Sequence, residues 1–109
     1  MKKSIKPGTL LMPLPAVMVS CGSPEKPNIL TIAWTGIVNS TPPMTYISVR
    51  KSRFSHDLIA RSGEFVINLT TETLTFATDY CGVKSGRDVD KFEEMHLTPL
   101  AADEVRCPM

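Results

Sequence analysis

The sequence lacks a long apolar run. Its uncharged stretch from Ile29 to Val49 is broken by Gly36, Asn39 and the pair Pro42 and Pro43, which excludes a membrane-spanning helix. Cysteine is scarce: Cys21, Cys81 and Cys107 are odd in number and widely spaced, which argues against a disulfide framework and for reduced thiols. No C-x-x-C occurs, and His56 and His96 lie far from any cysteine in sequence, so no metal site is expected. A net charge of +1 gives no basic footprint for nucleic acid over the surface at large. Neither a Ser–His–Asp arrangement nor a pair of carboxylates stands out to favour hydrolysis. Lys2 and Lys3 precede apolar residues, but three prolines by position 15 interrupt the apolar core a leader would need, and the expected compartment is the cytoplasm.

What is present is ordinary globular composition, 42% hydrophobic and 21% charged over 109 residues, the size of one domain with a thin core. Strand-length apolar and β-branched runs alternate with Pro, Gly and Asn, predicting a mainly β fold with short helices. The strand candidates are Leu10–Met12, Ala16–Cys21, Ile29–Trp34, Met44–Val49 and Phe65–Leu69, with a turn across Gly36–Pro43. Their close spacing suggests an antiparallel meander. A helix over His56–Arg61 has Ser55 as candidate cap and Gly63 as stop, and a second over Glu72–Tyr80 has Thr71 as cap and Gly82 as stop. The segment DVDKFEEM adds a short helical turn, after which the chain reaches RCPM with no further apolar strand. Five short strands leave edges and part of an apolar face open, so either a partner covers them or strands are missing.

The feature with the clearest chemistry is RKSRFS, Arg50 to Ser55, which follows a strand and enters a helix. Unpaired backbone N–H groups and the helix dipole favour an anion there, and Arg, Lys and Ser are the residues that grip a phosphomonoester. The residues alone leave two readings, a solvated basic turn and a phosphate-holding turn. Upstream, a period of two puts Thr31, Ala33 and Thr35 on one strand face and Leu30, Ile32 and Trp34 on the other. The small face leaves room for a flat ligand. In MTYISVRK, Ser48 and Arg50 share a face.

The run NILTIAWTGIVNSTPPMTYISVRKSRFSHDLIARSGEFVINL, followed by DYCGVKSGRDVDKF, resembles the flavin reductase-like family of FMN-binding split barrels, especially its flavoredoxin-like branch. The likeness spans roughly residues 7 to 100. It implies a single FMN-binding domain over residues 1–109, an antiparallel split β-barrel that stops before the C-terminal strands that usually complete it. It also implies a homodimer with FMN held noncovalently at the interface. The FMN phosphate is expected on Arg50, Lys51, Ser52 and Ser55. The TIAWTG backbone (Thr31, Ala33, Trp34, Thr35), with Asn28 and Ser48, is expected to border the ring or ribityl chain, and the SGRD and DKF segments, with Lys91 as the foremost contact, and Cys81 to approach the same site. The implied activity is that of an NAD(P)H-dependent flavin reductase-like oxidoreductase, for which the absence of G-x-G-x-x-G decides nothing. The alternatives are a flavoredoxin-type carrier serving a redox partner protein and a barrel module without flavin. No nucleic-acid or membrane partner is expected.

Overall fold

A computed structural model describes residues 1–109. Five strands, β1 (Val17–Ser23), β2 (Lys26–Ile32), β3 (Thr35–Ser40), β4 (Pro43–Ile47) and β5 (Val66–Leu69), are joined by three helices. The helices are α1 (Phe54–Ser62), α2 (Thr75–Val83), entered through a 3-10 turn at Glu72–Leu74, and α3 (Lys91–Glu94). Residues β2, β1 and β5 form one antiparallel sheet in that order, and β3 pairs with β4 in a separate hairpin. The mainly β reading with short helices holds. The two sheets remain open and separate in this chain.

Alternation along β1 and β2 divides the core. Val17 and Val19 cluster with Leu30 and Ile32 on one side, with Phe65 and Ile67 packed against them. Met18 and Ile29 meet Ala77 and Cys81 of α2 and Phe92 of α3 on the other. Each fully buried aliphatic side chain contributes about 1.5–3 kcal/mol, and the register Val17↔Ile32 and Val19↔Leu30 keeps these pairs on one face. Beyond them, Ser20 donates to the Pro108 carbonyl, and Glu64 Oε1 accepts from the backbone N–H groups of Arg106 and Cys107 at 2.9 and 3.0 Å. Those bonds hold the final residues on the sheet, with Cys107 fully buried.

Several expectations change. Leu10–Met12 is exposed and forms no strand; its side chains meet no sheet that would bury alternate residues. The strand expected to reach Trp34 ends at Ile32, so the two-faced pattern extends only over Leu30–Ile32. The supposed turn Gly36–Pro43 is instead mostly β3, in which Gly36 pairs with Tyr46 and Asn39 with Met44 of β4, with a bulge at Val38 between Ile37 and Asn39. Arg53 rather than Ser55 sits at the N-cap of α1, and no side chain caps it. Thr71 also makes no cap bond, because the 3-10 turn separates it from α2. Gly82 lies inside α2, not after it: a Cβ there would come 3.3 Å from the Thr31 Cβ, so glycine is what lets α2 approach β2. Gly63 does end α1, in the left-handed conformation at φ 72°, where a Cβ is strained. The last helical turn is present and is better defined than its pattern suggested, since the Asp90 carboxylate accepts from the N–H groups of Phe92 and Glu93.

Candidate functional site

A cleft of about 230 Å³ opens between the edge of β2, the start of α1, the end of α2 and the loop Lys84–Arg87. Asn28, Leu30 and Thr31 all line it, although successive strand side chains point to opposite faces. It is therefore the outer edge of β2 that borders the cleft, an edge to which no other strand pairs. Five cations, Arg50, Arg53, Lys84, Arg87 and Lys91, line the walls, and no Asp or Glu does.

The cations are held in place by neutral groups. Arg50 lies over the Trp34 ring, 5.2 Å from its centroid, and Arg87 lies 5.7 Å over Phe54. Arg87 Nη1 donates to the Ser52 carbonyl at 3.1 Å, and Arg53 Nη1 to the Gly82 carbonyl at 3.3 Å. Lys91 is only 4% exposed and donates through Nζ to the Cys81 carbonyl at 2.9 Å. It has no carboxylate partner; the chain's one ion pair is His56–Asp57. Burial pushes the Lys91 amine below the usual lysine range; attraction by Cys81 works against this, and Arg53 adds to it. Burial raises the Cys81 thiol, with Lys91 countering in part. A buried cation without a counter-ion is costly, and an anion entering the cleft would relieve that cost.

Ser55 is fully buried at the back, where its hydroxyl accepts from Asn28 Nδ2 at 2.6 Å. This explains why it does not cap α1: its oxygen is committed to β2. Gly86 closes the wall so tightly that a Cβ would fall 2.3 Å from Asn28 Oδ1 and 2.6 Å from Phe54 Cδ1. A second cleft of similar volume adjoins the first through the shared residues Leu30, Thr31, Arg50 and Arg53. Its remaining lining is Ile32, Ala33, Trp34 and Val49 with Ser48. One end of the joined space is thus cationic and the other largely apolar, with an aromatic ring.

Of the residues singled out in the sequence, Asn28, Ser52, Ser55, Cys81 and Lys91 line the cationic cleft, Ala33, Trp34 and Ser48 the apolar one, and Thr31 and Arg50 both. Cys81 takes part through its carbonyl, which holds Lys91. Lys51 is exposed on the turn and lines neither cleft. Nor does Thr35, whose hydroxyl donates to the Tyr46 carbonyl inside the β3–β4 hairpin. Arg53, the third cation of RKSRFS, and Ser85, Gly86 and Arg87 of the SGRD segment also line the cationic cleft. Lys84 is the lining cation that sequence reasoning did not name, although GVKSGRD is a loop of small and basic residues. Elsewhere, no three His, Cys, Asp or Glu side chains gather where they would hold a metal ion. No helix is long and apolar enough to cross a membrane.

Strands, helices and cleft together define a flavin reductase-like split-barrel fold. Flavoredoxin of Desulfovibrio vulgaris superposes with a TM-score of 0.91 at 35% identity, covering 100% of this chain and 60% of that one. Flavoredoxin from Methanosarcina acetivorans gives 0.82 at 31% identity, covering 99% and 58%. The model of the flavin reductase like domain matches residues 9–109, and the chain belongs to that family. An uncharacterized protein of Archaeoglobus fulgidus is 32% identical over 98 residues, which are 90% of this chain and 55% of that protein. The chain thus spans somewhat over half the length of these relatives.

Proposed function

We propose that the joined clefts hold FMN noncovalently and that the chain is the FMN-binding part of an NAD(P)H-dependent, flavin reductase-like oxidoreductase. The observation that carries this reading is the polarity of the site: five cations without a carboxylate at one end, and Ile32, Ala33, Trp34 and Val49 at the other. FMN has the same polarity. Its phosphate, carrying about −1.5 to −2 charges, suits the forks of Arg50 and Arg53, the Ser52 hydroxyl and the buried Lys91, with Lys51 adding charge from the turn. Its flat ring suits the apolar end and the small side chain of Ala33. Gly86 fits as well, since its missing Cβ keeps Asn28 and Phe54 in place beside the cleft.

Bound FMN supplies the redox chemistry. The chain's contribution is position and electrostatics. Backbone N–H groups along the open edge of β2 offer fixed dipoles to a ring that gains negative charge, an arrangement that needs no reorganisation during the reaction. The test is the absorption spectrum of the purified protein with FMN, before and after anaerobic NADH or NADPH. Rapid bleaching by either donor alone supports the reductase reading. A protein that stays colourless with added FMN refutes flavin binding altogether.

A second reading, an FMN electron carrier serving a redox partner protein, is favoured by the likeness to two flavoredoxins at 35% and 31% identity. Bleaching only on addition of a reduced partner protein would select it. We further propose a homodimer that covers the β3–β4 hairpin, where Ile37, Val38, Met44 and Tyr46 are exposed. Sedimentation at micromolar concentration, with and without FMN, tests this.

A further inference from the structure

Three of the cations around the cationic cleft are tethered by hydrogen bonds: Arg53 to the Gly82 carbonyl at 3.3 Å, Arg87 to the Ser52 carbonyl at 3.1 Å and Lys91 to the Cys81 carbonyl at 2.9 Å. Arg50 is different. Its side chain makes no hydrogen bond and no ion pair, and its specific anchor is the face of Trp34, with the guanidinium carbon 5.2 Å from the ring centroid. Arg87 also covers a ring, that of Phe54 at 5.7 Å, but its bond to Ser52 holds it independently of that ring.

The backbone brings this pair together. Trp34 follows the end of β2 and Arg50 follows the end of β4, and the Ser48 N–H donates to the Trp34 carbonyl at 2.8 Å, which joins the two strand ends. Trp34 lines only the apolar cleft, whereas Arg50 lines both. The guanidinium therefore stands on the border, with an aromatic face on one side and four further cations without a carboxylate on the other. While no anion is bound, like-charge repulsion within that group favours the Trp34 face. A bound phosphomonoester reverses the balance. At a ring that is 38% exposed, a cation–π contact is worth a factor of about 2 to 5, and a charge-assisted bond to phosphate about 10 to 100.

We propose that Trp34 is a specificity-determining residue that parks the Arg50 guanidinium on the apolar side until a phosphomonoester draws it into the cationic cleft and bares the ring face. A flavin that carries a phosphate releases its own aromatic site. Riboflavin must displace Arg50 from Trp34 with nothing to take the charge, so the site discriminates against it by more than the phosphate bonds themselves supply. Anion and flavin ring then bind with positive coupling, each strengthening the other by the same factor. That factor is limited to the strength of the contact that is broken, about 2- to 5-fold. This deepens the FMN reading given above and rests on it.

Trp34 is the chain's one tryptophan, so its emission reports on this contact alone. The experiment titrates inorganic phosphate into the flavin-free protein at ionic strength matched with potassium chloride, follows Trp34 emission, and then measures the riboflavin Kd with and without phosphate. In the wild type, phosphate should change the emission saturably and tighten riboflavin by about 2- to 5-fold. R50Q should show neither effect, with its riboflavin Kd within about 5-fold of the wild-type value. In W34L phosphate should leave the riboflavin Kd unchanged, and W34F, which keeps a weaker ring partner for the cation, should retain part of the coupling. A wild-type riboflavin Kd that ignores phosphate overturns the proposal without any variant, whatever the emission does. Coupling that survives intact in W34L or R50Q also overturns it, because the link then runs through other residues. Failure of both FMN and riboflavin to bind refutes the flavin reading and this inference together, whereas binding of both without coupling refutes this inference alone.

Discussion

Replacing Lys91 by methionine should separate flavin binding from folding. The side chain is 4% exposed, donates to the Cys81 carbonyl at 2.9 Å and has no acidic partner. Burying such an ion costs several kcal/mol, which the charge-assisted bond offsets by about 1.5–3 kcal/mol. Methionine keeps the stem's packing and removes the ion, but leaves a carbonyl near the end of α2 without its partner, at about 1–3 kcal/mol. These terms nearly cancel, so K91M without flavin should keep its stability to within about 1 kcal/mol, or about 4–8 °C in melting temperature for a domain of this size.

The binding side does not cancel. Loss of one charge-assisted phosphate bond should weaken FMN by about 10- to 100-fold and leave riboflavin, which lacks the phosphate, nearly unaffected. Fluorescence titration with both flavins, alongside thermal melts of the flavin-free proteins, reads the two effects separately. The pH dependence carries a sign. Burial holds the folded-state pKa of Lys91 below its ordinary 10.5. Between the two values the unfolded chain holds more protons, so wild-type stability gains with rising pH from this residue and K91M has no such gain. Any stability advantage of K91M should therefore shrink as the pH climbs toward 10.5. A K91M protein that melts far below wild type, and loses FMN and riboflavin equally, would refute the assignment of Lys91 to an anion.

Arg50→Ala should weaken FMN by about 10- to 100-fold and leave riboflavin nearly indifferent, since its guanidinium faces both clefts. Equal losses for the two flavins would mean that Arg50 acts through its stacking on Trp34 instead. Gly86→Ala should lower stability by about 1–3 kcal/mol and loosen FMN, because the new Cβ lands 2.3 Å from Asn28 Oδ1; thermal melts and titration check both, and a neutral result would show that the loop yields freely. Stability should fall as the pH rises above 9.0, because burial raises the folded-state pKa of Cys21, Cys81 and Cys107 and the unfolded thiols ionise first. Denaturant midpoints between pH 8 and 10 measure it, and a C107A variant should soften the drop.

Much of this protein is legible in its residue order because the relevant physics is local. The alternation in Val17–Cys21 and Ile29–Ile32 specifies two-faced strands, and DVDKFEEM specifies a short helical turn. The RKSRFS run marks an anion-favouring strand-to-helix junction from six consecutive residues. Where local signals conflict, they misled: Gly36–Pro43 read as a turn, yet Gly36 and Asn39 pair with Tyr46 and Met44 inside a strand. Gly82 read as a helix stop, because only the approach of Thr31, distant in sequence, shows why it lacks a side chain.

The site itself is a product of tertiary structure. Nothing local says that Ser55 will bond Asn28, 27 positions earlier, rather than cap its own helix. Nor does sequence show that Arg53 and Arg87 will reach the Gly82 and Ser52 carbonyls. Residue order placed cations near a helix start. Their concentration in a cleft without a carboxylate, with Lys91 desolvated at its wall, was decided by how α1, α2 and the Lys84–Arg87 loop pack against the open edge of β2, because burial and the distance between charges are properties of that packing.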